Sequence, residues 1–444
     1  MADKFVINGG KSLNGEVEVR GSKNAAGPAL IACLLTKEQC IVDNVPFIDD
    51  ILNIIEILKS MGAQVEKIGE EKVKIKAEKI DAAKMDFEKV SKTRISVLFF
   101  GALLARVKNF KMPPPGGDRI GLRPISVQLR ALEKLGAKIE RKENVYEANC
   151  EKLQGREVVL EEFSVTATEA VMMAAVLADG TTIIKGAAAE PHVQDLGQML
   201  LKMGAKIEGL GTHTIKIEGV EILHGCEYSV IPDPIEAGTF IILGALLGGK
   251  IHPVKSAPPG GAVSRFAGQF NGVKVTGVDL SHLDLFLAKL EEMGVNFERG
   301  EDYIIVFYSP KLKAVKVQAL PYPGFPTDLL PIIIPLLVKA QGKSLVHDPL
   351  YENRFNYVQE LRKMGADIEM VDPHRTFVFG PCKLFGASID SWDIRAGACL
   401  VIAALGAEGK TTIENVFQID RGYEKIEERL SRLGADIKRV RDDK

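Results

Sequence analysis

None of the six cysteines (Cys33, Cys40, Cys150, Cys226, Cys382 and Cys399) forms a Cys-x-x-Cys pair. That spacing argues against a disulfide framework or a thiolate metal site and suits the reduced thiols of a cytoplasmic protein. The seven histidines form no His-Glu-x-x-His, so no metal and no cofactor is expected. A basic excess is also missing, since the net charge is −2. Nucleic-acid binders usually carry a strong one, so that class is set aside, while a small anionic ligand needs only a few local arginines. The longest uncharged apolar run, Leu329 to Val338, is too short to span a bilayer and holds two prolines, so no membrane association is expected. The first ten residues show no basic region followed by an apolar stretch, so no signal peptide is expected. Aromatic residues make up only 6%, beside 46% hydrophobic and 26% charged, the balance of an ordinary globular protein. At 444 residues two or three domains are expected.

What is present is a repeat. Helix-like stretches run into Met-Gly-Ala or Leu-Gly-Ala followed by a short β-rich segment, at Gly62, Gly136, Gly204, Gly294 (Met-Gly-Val), Gly365 and Gly434. The spacings are 74, 68, 90, 71 and 69 residues, too long for a solenoid period. Each copy reads as an apolar small-residue helix, a β-rich run, an amphipathic helix ended by the signature glycine, and two further strands. The apolar helices are 29–35, 97–105, 170–177, 238–247, 329–337 and 396–405. In the last amphipathic helix Ile426, Leu430 and Leu433 share one face. Alternation in Lys72-Val73-Lys74-Ile75-Lys76-Ala77 marks a return strand. The unit is roughly β-α-β-α-β-β, and six units suggest two domains of three, with a break near Pro232. Copy four carries about twenty extra residues, read from their Gly and Pro content as a loop insertion over 257–278.

Folding of the repeat does not account for several charged segments. Copy two has a long turn, Met112 to Pro124, holding Asp118, Arg119 and Arg123; it reads as a lid or as a solvated turn. Lys23 and Asn24 stand just before the first apolar helix, whose start attracts anions. Asp328 opens another apolar helix, where N-capping is the plain reading. Arg94, Arg354, Asp393, Arg395, Asp420 and Arg421 lie at equivalent loops and helix starts. Each alone reads as a surface charge, and their shared position in the repeat carries more weight. Two phosphate-loop lookalikes fail. In Gly244 to Lys250 the next residue is Ile251 instead of Ser or Thr, and Gly209-Leu210-Gly211 lacks its third glycine.

Five motifs together resemble the bacterial enolpyruvyl transferases, in particular the branch acting on UDP-N-acetylglucosamine. They are Gly21-Ser22-Lys23-Asn24-Ala25-Ala26, the run Pro115 to Pro124, Phe325-Pro326-Thr327-Asp328, Glu352-Asn353-Arg354-Phe355 and Ile419-Asp420-Arg421-Gly422-Tyr423. The resemblance covers Phe5 to Val440 apart from the copy-four insertion. It implies an inside-out α/β barrel of six β-α-β-α-β-β units in two domains, 22–232 and 1–21 plus 233–444. It implies transfer of the enolpyruvyl group of phosphoenolpyruvate to the sugar 3′-hydroxyl with release of phosphate, the first committed step of peptidoglycan synthesis. Neither a nucleic-acid partner nor more than a monomer is required.

Carried over by position, Lys23, Arg123, Arg395 and Arg421 would hold phosphoenolpyruvate, with Arg354 close by, and Asp328 would act as base on the sugar hydroxyl. Asn24, Arg94, the stretch Arg123, Pro124, Ile125, Ser126 and Val127, the stretch Glu162, Phe163, Ser164 and Val165, and Leu350 would surround the UDP-sugar. The family's loop cysteine, its proton donor and the target of the epoxide antibiotic fosfomycin, is replaced here by Asp118. Carboxyls ionise in water near pH ~3.9 and thiols near ~8.5. A carboxyl in the donor's place must therefore be kept protonated by desolvation and by bound anions as the loop closes. Ser126 stands for a usual acid, Glu162 for a usual lysine, Pro234 for a common arginine and Arg119 for a small residue. Two readings compete. The sister branch acting on shikimate 3-phosphate lacks the Lys-Asn-Ala-Ala and Phe-Pro-Thr-Asp pieces, and a non-catalytic UDP-sugar sensor would not need the whole charged set.

Overall fold

A computed structural model describes residues 3–118, 120–249 and 271–441. Contacts divide the chain into a first unit, Arg20–Asp118 with Arg123–Pro232, and a second unit, Met1–Val19, Arg119–Leu122 and Asp233–Lys444. Each has its own hydrophobic core.

The apolar helices are the centres of both units. In the first these are Lys23–Ala32, Phe99–Arg106 and Val165–Ala175; in the second, Pro234–Leu247, Leu329–Leu337 and Ile394–Leu405. All twelve residues of Ile394–Leu405 are buried. A helix apolar on every side has no face to offer water, so it takes the interior while sheets and amphipathic helices cover it. Small residues let these helices approach closely. A Cβ on Gly101 would fall 2.1 Å from the Ala170 carbonyl oxygen, and one on Gly238 would fall 2.5 Å from Leu329 Cδ2. The described residues contain no helix long and apolar enough to cross a membrane.

Among the described residues six sheets lie around these helices, five of four strands and one of three. Copy three shows the recurring pattern. Glu157–Val159 runs parallel to Thr181–Lys185, which pairs antiparallel with Thr214–Glu218, itself antiparallel to Lys206–Glu208. Sequence-distant strands complete three of the sheets. Glu227–Ser229 lies parallel to Gln39–Asp43, so the end of copy three supplies the opening strand of copy one. Asp3–Asn8 joins Lys410–Glu414 and Asp436–Arg441, while Gly15–Glu18 lies parallel to Val273–Thr276. The first twenty residues thus serve the sheets of copies six and four.

All six signature glycines have positive φ, between 86° and 101°. Each follows the amphipathic helix and takes the left-handed turn that other residues adopt only at a cost. Two readings need correction. Copy two has no opening strand among the described residues, and its sheet is the three-stranded one, with Ala82–Lys84 and Phe87–Val90 helical before the apolar helix. Val273–Thr276 is a regular strand with alternating burial, so this part of 257–278 belongs to the repeat; residues 257–270 lie outside the described ones.

Candidate active site

In the second unit, charged side chains collect at the starts of the buried helices. Asp328 occupies the N-cap position of Leu329–Leu337, yet its side chain makes no capping bond. Plain capping is therefore overturned. Its carboxylate accepts hydrogen bonds from Arg354 Nη2 and, at 3.1 Å, from Arg395 Nε. The two arginine side chains are 2% and 3% exposed, whereas Asp328 is 30% exposed. One carboxylate thus has its back against two buried cations and its front open.

Neighbouring acids set the arginines in place. Asp393 caps Ile394–Leu405, accepting from the backbone of Arg395 at 2.9 Å and Ala396 at 2.8 Å, and its other oxygen accepts from Asn356 Nδ2 at 3.0 Å. Asp348 is fully buried. It accepts from Thr327 Oγ1 at 2.6 Å and from the Leu350 and Tyr351 amides, and lies 3.9 Å from Arg354 Nε. Burial alone would disfavour the Arg354 charge, but Asp328, Asp393 and Asp348 overcome it and hold the guanidinium above the usual arginine range. Burial likewise opposes Arg395, and Tyr423, Asp328 and Asp233 outweigh it. Nε of Arg354 and Nη1 of Arg395 are buried with no hydrogen-bond partner among the described residues. Unsatisfied guanidinium donors in this setting favour an incoming anion.

Around this cluster, Tyr423 is buried with its ring 5.3 Å from the Arg395 guanidinium and its hydroxyl 2.8 Å from Thr239 Oγ1. Arg421 donates to Gln418 Oε1 at 2.9 Å. Leu350 is exposed. The short stretch Ile120 to Leu122 belongs to this unit. Asn353 N donates to the Ile120 carbonyl at 3.0 Å, and Leu122 N to Glu352 Oε1 at 3.3 Å. Gly121 has φ +143°, and a Cβ there would meet Glu352 Oε2 at 2.1 Å. Asp420, grouped by sequence with the site, instead pairs with Arg439 through contacts of 2.6 and 2.9 Å.

In the first unit, Lys23 is the first residue of Lys23–Ala32, a helix with no acid in its first turn and no side-chain cap from Ser22. Its ammonium donates to buried Asp50 at 2.9 Å. Asn24 beside it is half-buried. The copy-two turn is tethered at its base. A Cβ on Gly116 would strike the Ser91 carbonyl at 2.0 Å, and one on Gly117 would meet Arg94 Cβ at 2.8 Å and Arg123 Nη1 at 3.2 Å. Arg94 Nη2 donates to the Pro124 carbonyl at 3.1 Å. Asp118 ends the irregular segment 113–118, half-buried; Arg119 lies outside the described residues.

Ser126 and Val127 open the helix Ser126–Lys134 behind Ile125, and Gln128 Nε2 reaches Thr166 Oγ1 at 2.7 Å. That bond joins the Arg123 to Val127 stretch to the helix after Glu162 to Val165. Ser164 caps the latter helix through Ala167 N, Glu162 is exposed, and Phe163 lies 4.6 Å from the His213 ring. Pro234, at the arginine's usual place, opens Pro234–Leu247. The sequence reading missed Asp50 and Asp348, which orient Lys23 and Arg354. Asp50 reads as an ordinary helix-start acid, and Asp348 carries no local signal.

The family model described as EPSP synthase (3-phosphoshikimate 1-carboxyvinyltransferase) matches residues 7–258 and 266–430. A protein of Koribacter versatilis (strain Ellin345) named UDP-N-acetylglucosamine 1-carboxyvinyltransferase is 44% identical over 442 residues, covering 99% of this chain and 96% of that one. One from Caldanaerobacter subterraneus subsp. tengcongensis, named UDP-N-acetylglucosamine 1-carboxyvinyltransferase 3, is 42% identical over 440 residues, covering 99% and 100%. Among solved structures, the enolpyruvyl transferase NikO from Streptomyces tendae matches with a TM-score of 0.86 and 25% identity over 99% of both chains. EPSP synthase from Acinetobacter baumannii matches at 0.73 and 18%, a likeness of fold, over 99% of this chain and 100% of that one. A family match along nearly the whole sequence, relatives above 40% identity and the same fold agree: the chain belongs to the enolpyruvyl transferases, enzymes that transfer 1-carboxyvinyl groups.

Proposed function

We propose that this enzyme moves the enolpyruvyl group of phosphoenolpyruvate onto the 3′-hydroxyl of UDP-N-acetylglucosamine and releases phosphate, opening peptidoglycan synthesis in the cytoplasm. The observation that carries the reading is the pair of buried arginines on half-open Asp328, with spare donors beside a carboxylate able to take a proton. The names of relatives at 44% and 42% identity support the acceptor, and the dispersed cysteines support the location. In this reading Asp328 removes the hydroxyl proton as the sugar oxygen adds to the central carbon of phosphoenolpyruvate, and Asp118 protonates the methylene carbon. The tetrahedral adduct then loses that carbon's proton and the phosphate. Lys23, Arg123, Arg395 and Arg421 hold the carboxylate and phosphate, forked arginines suiting both shapes. Arg354 stands close to phosphoenolpyruvate, and the other assigned positions hold the nucleotide sugar: Asn24, Arg94, Pro124, Ile125, Ser126, Val127, Glu162, Phe163, Ser164, Val165 and Leu350. The first and second three-copy halves, 22–232 and 1–21 plus 233–444, are proposed as its two domains.

The test is phosphate release from phosphoenolpyruvate with each acceptor. Release with UDP-N-acetylglucosamine and none with shikimate 3-phosphate is expected. The reverse would make this the sister activity, and release with neither would favour a sugar-nucleotide sensor.

Asp118→Asn cannot donate the methylene proton. Its kcat is expected to fall about 10²–10⁴-fold, the usual contribution of a general acid, and undiminished turnover would remove Asp118 from that role. A carboxylate also replaces the thiolate that fosfomycin alkylates in relatives. Intact mass after incubation is expected to show no adduct on the native chain and one adduct on Asp118→Cys. Near-stoichiometric adduct on the native chain would overturn the insensitivity.

A further inference from the structure

Three of the six cysteines meet at the far end of the helix that begins with Lys23. Cys33 follows that helix, Cys40 lies in the strand Gln39–Asp43, and Cys226 immediately precedes the strand Glu227–Ser229. Glu227 registers with Ile41 in the parallel ladder, and Ile41 N donates to the Cys226 carbonyl at 2.8 Å. Cys226 therefore stands opposite Cys40, on the same face of the sheet. Neighbouring strands lie about 4.7–4.9 Å apart, inside the Cα window of about 4.4–6.8 Å that a disulfide spans. The Cys40 thiol lies near enough to those of Cys226 and Cys33 for the three to influence one another. Cys33 and Cys40 are buried, whereas Cys226 is only half-buried. A reagent from solvent thus meets Cys226 first, with Cys40 directly behind it.

We propose that Cys226 and Cys40 form a redox-responsive dithiol, with Cys226 as the residue a hydroperoxide attacks and Cys40 as its resolving partner. The Cys226 sulfur attacks the distal peroxide oxygen and breaks the O–O bond; the alkoxide leaves with the thiol proton as the alcohol, and the sulfur becomes a sulfenic acid. The Cys40 sulfur then displaces that oxygen as water and forms the disulfide. Two thiols lose two hydrogens and two electrons in all, and the peroxide O–O bond takes up both electrons. The product would tie the strand Glu227–Ser229 covalently to its sequence-distant neighbour Gln39–Asp43.

The test treats the full chain with tert-butyl hydroperoxide, blocks the remaining thiols and maps peptides by mass. A linked Cys40–Cys226 peptide is expected, with intact mass lower by two hydrogens and recovery on reduction. Cys226→Ser should abolish the linked peptide, and Cys382→Ser, which changes the other half-buried cysteine, should leave it intact. The proposal fails if the linked pair is Cys33–Cys40, or if Cys226 passes to sulfinic acid while Cys40 stays open to alkylation. It also fails if Cys226 is unmodified while the peroxide is consumed at Cys382.

Discussion

Asp328→Asn is expected to cut kcat by about 10²–10⁴-fold, the range for losing a general base, while the chain still folds. The asparagine fills the same volume, but its amide cannot accept a proton. Its nitrogen also turns a second donor toward guanidinium groups that are themselves donors. Arg354 keeps Asp348 at 3.9 Å, and the Arg395 guanidinium keeps Tyr423 and the charge of Asp233. The cations are therefore not stranded, and the stability loss should stay near the cost of an unsatisfied buried group, about 1–3 kcal/mol. A pH profile separates chemistry from placement. With Asp328 as base, native activity falls on the acid side as the carboxylate protonates, and the variant loses that limb. A raised KM with kcat and the acid limb unchanged would make Asp328 a binding residue only.

The repeat was legible because it rests on local rules. A glycine after an amphipathic helix turns left-handed, and all six signature glycines do. Alternating residues such as Val73 to Lys76 form strands, and the apolar run 329–337 is a helix over that same span. Strand ownership was less legible. The repeat pattern alone does not say that Phe5 faces Ile413 across four hundred residues, or that Tyr228 lies beside Val42. Those pairings are fixed by which sheet edge is left open, a tertiary matter. Val273 to Thr276 was lost in the insertion because flanking glycines and prolines masked a four-residue alternation.

The site divides in the same way. Lys23, Asp328 and Arg395 stand out as charges at the starts of apolar helices, and Arg354 in the turn before another helix, where burial makes them expensive without partners. Their partners do not stand out. Asp348 and Asp50 look like ordinary turn and helix-start acids, and only the fold brings them to a cation. The role of Asp328 was ambiguous for the same reason. An acid before a helix is usually a cap, and what diverts it here is a pair of guanidinium groups 26 and 67 residues away.

Arg429→Ala should destabilise the second unit by about 3–5 kcal/mol, the cost of breaking a buried ion pair from one side. Glu236 lies in the first turn of the buried helix Pro234–Leu247, and its side chain is 4% exposed against 9% for Arg429. Arg429 bonds the Glu236 carboxylate, donates through Nη2 to the Glu18 carbonyl at 2.6 Å, and lies 4.8 Å from the Phe240 ring. The alanine would leave a carboxylate in an apolar core, the Glu18 carbonyl without that donor, and a void over Phe240. At about 2–4 °C per kcal/mol for a unit of this size, the melting midpoint should fall by roughly 6–20 °C. Replacing both partners by apolar residues of similar volume, Glu236→Leu with Arg429→Met, should recover much of the loss, because no charge is then stranded. A single-variant loss below about 1 kcal/mol in urea titration would rank the pair with exposed ones and remove it as a tie that adds to the ladder between Gly15–Glu18 and Val273–Thr276.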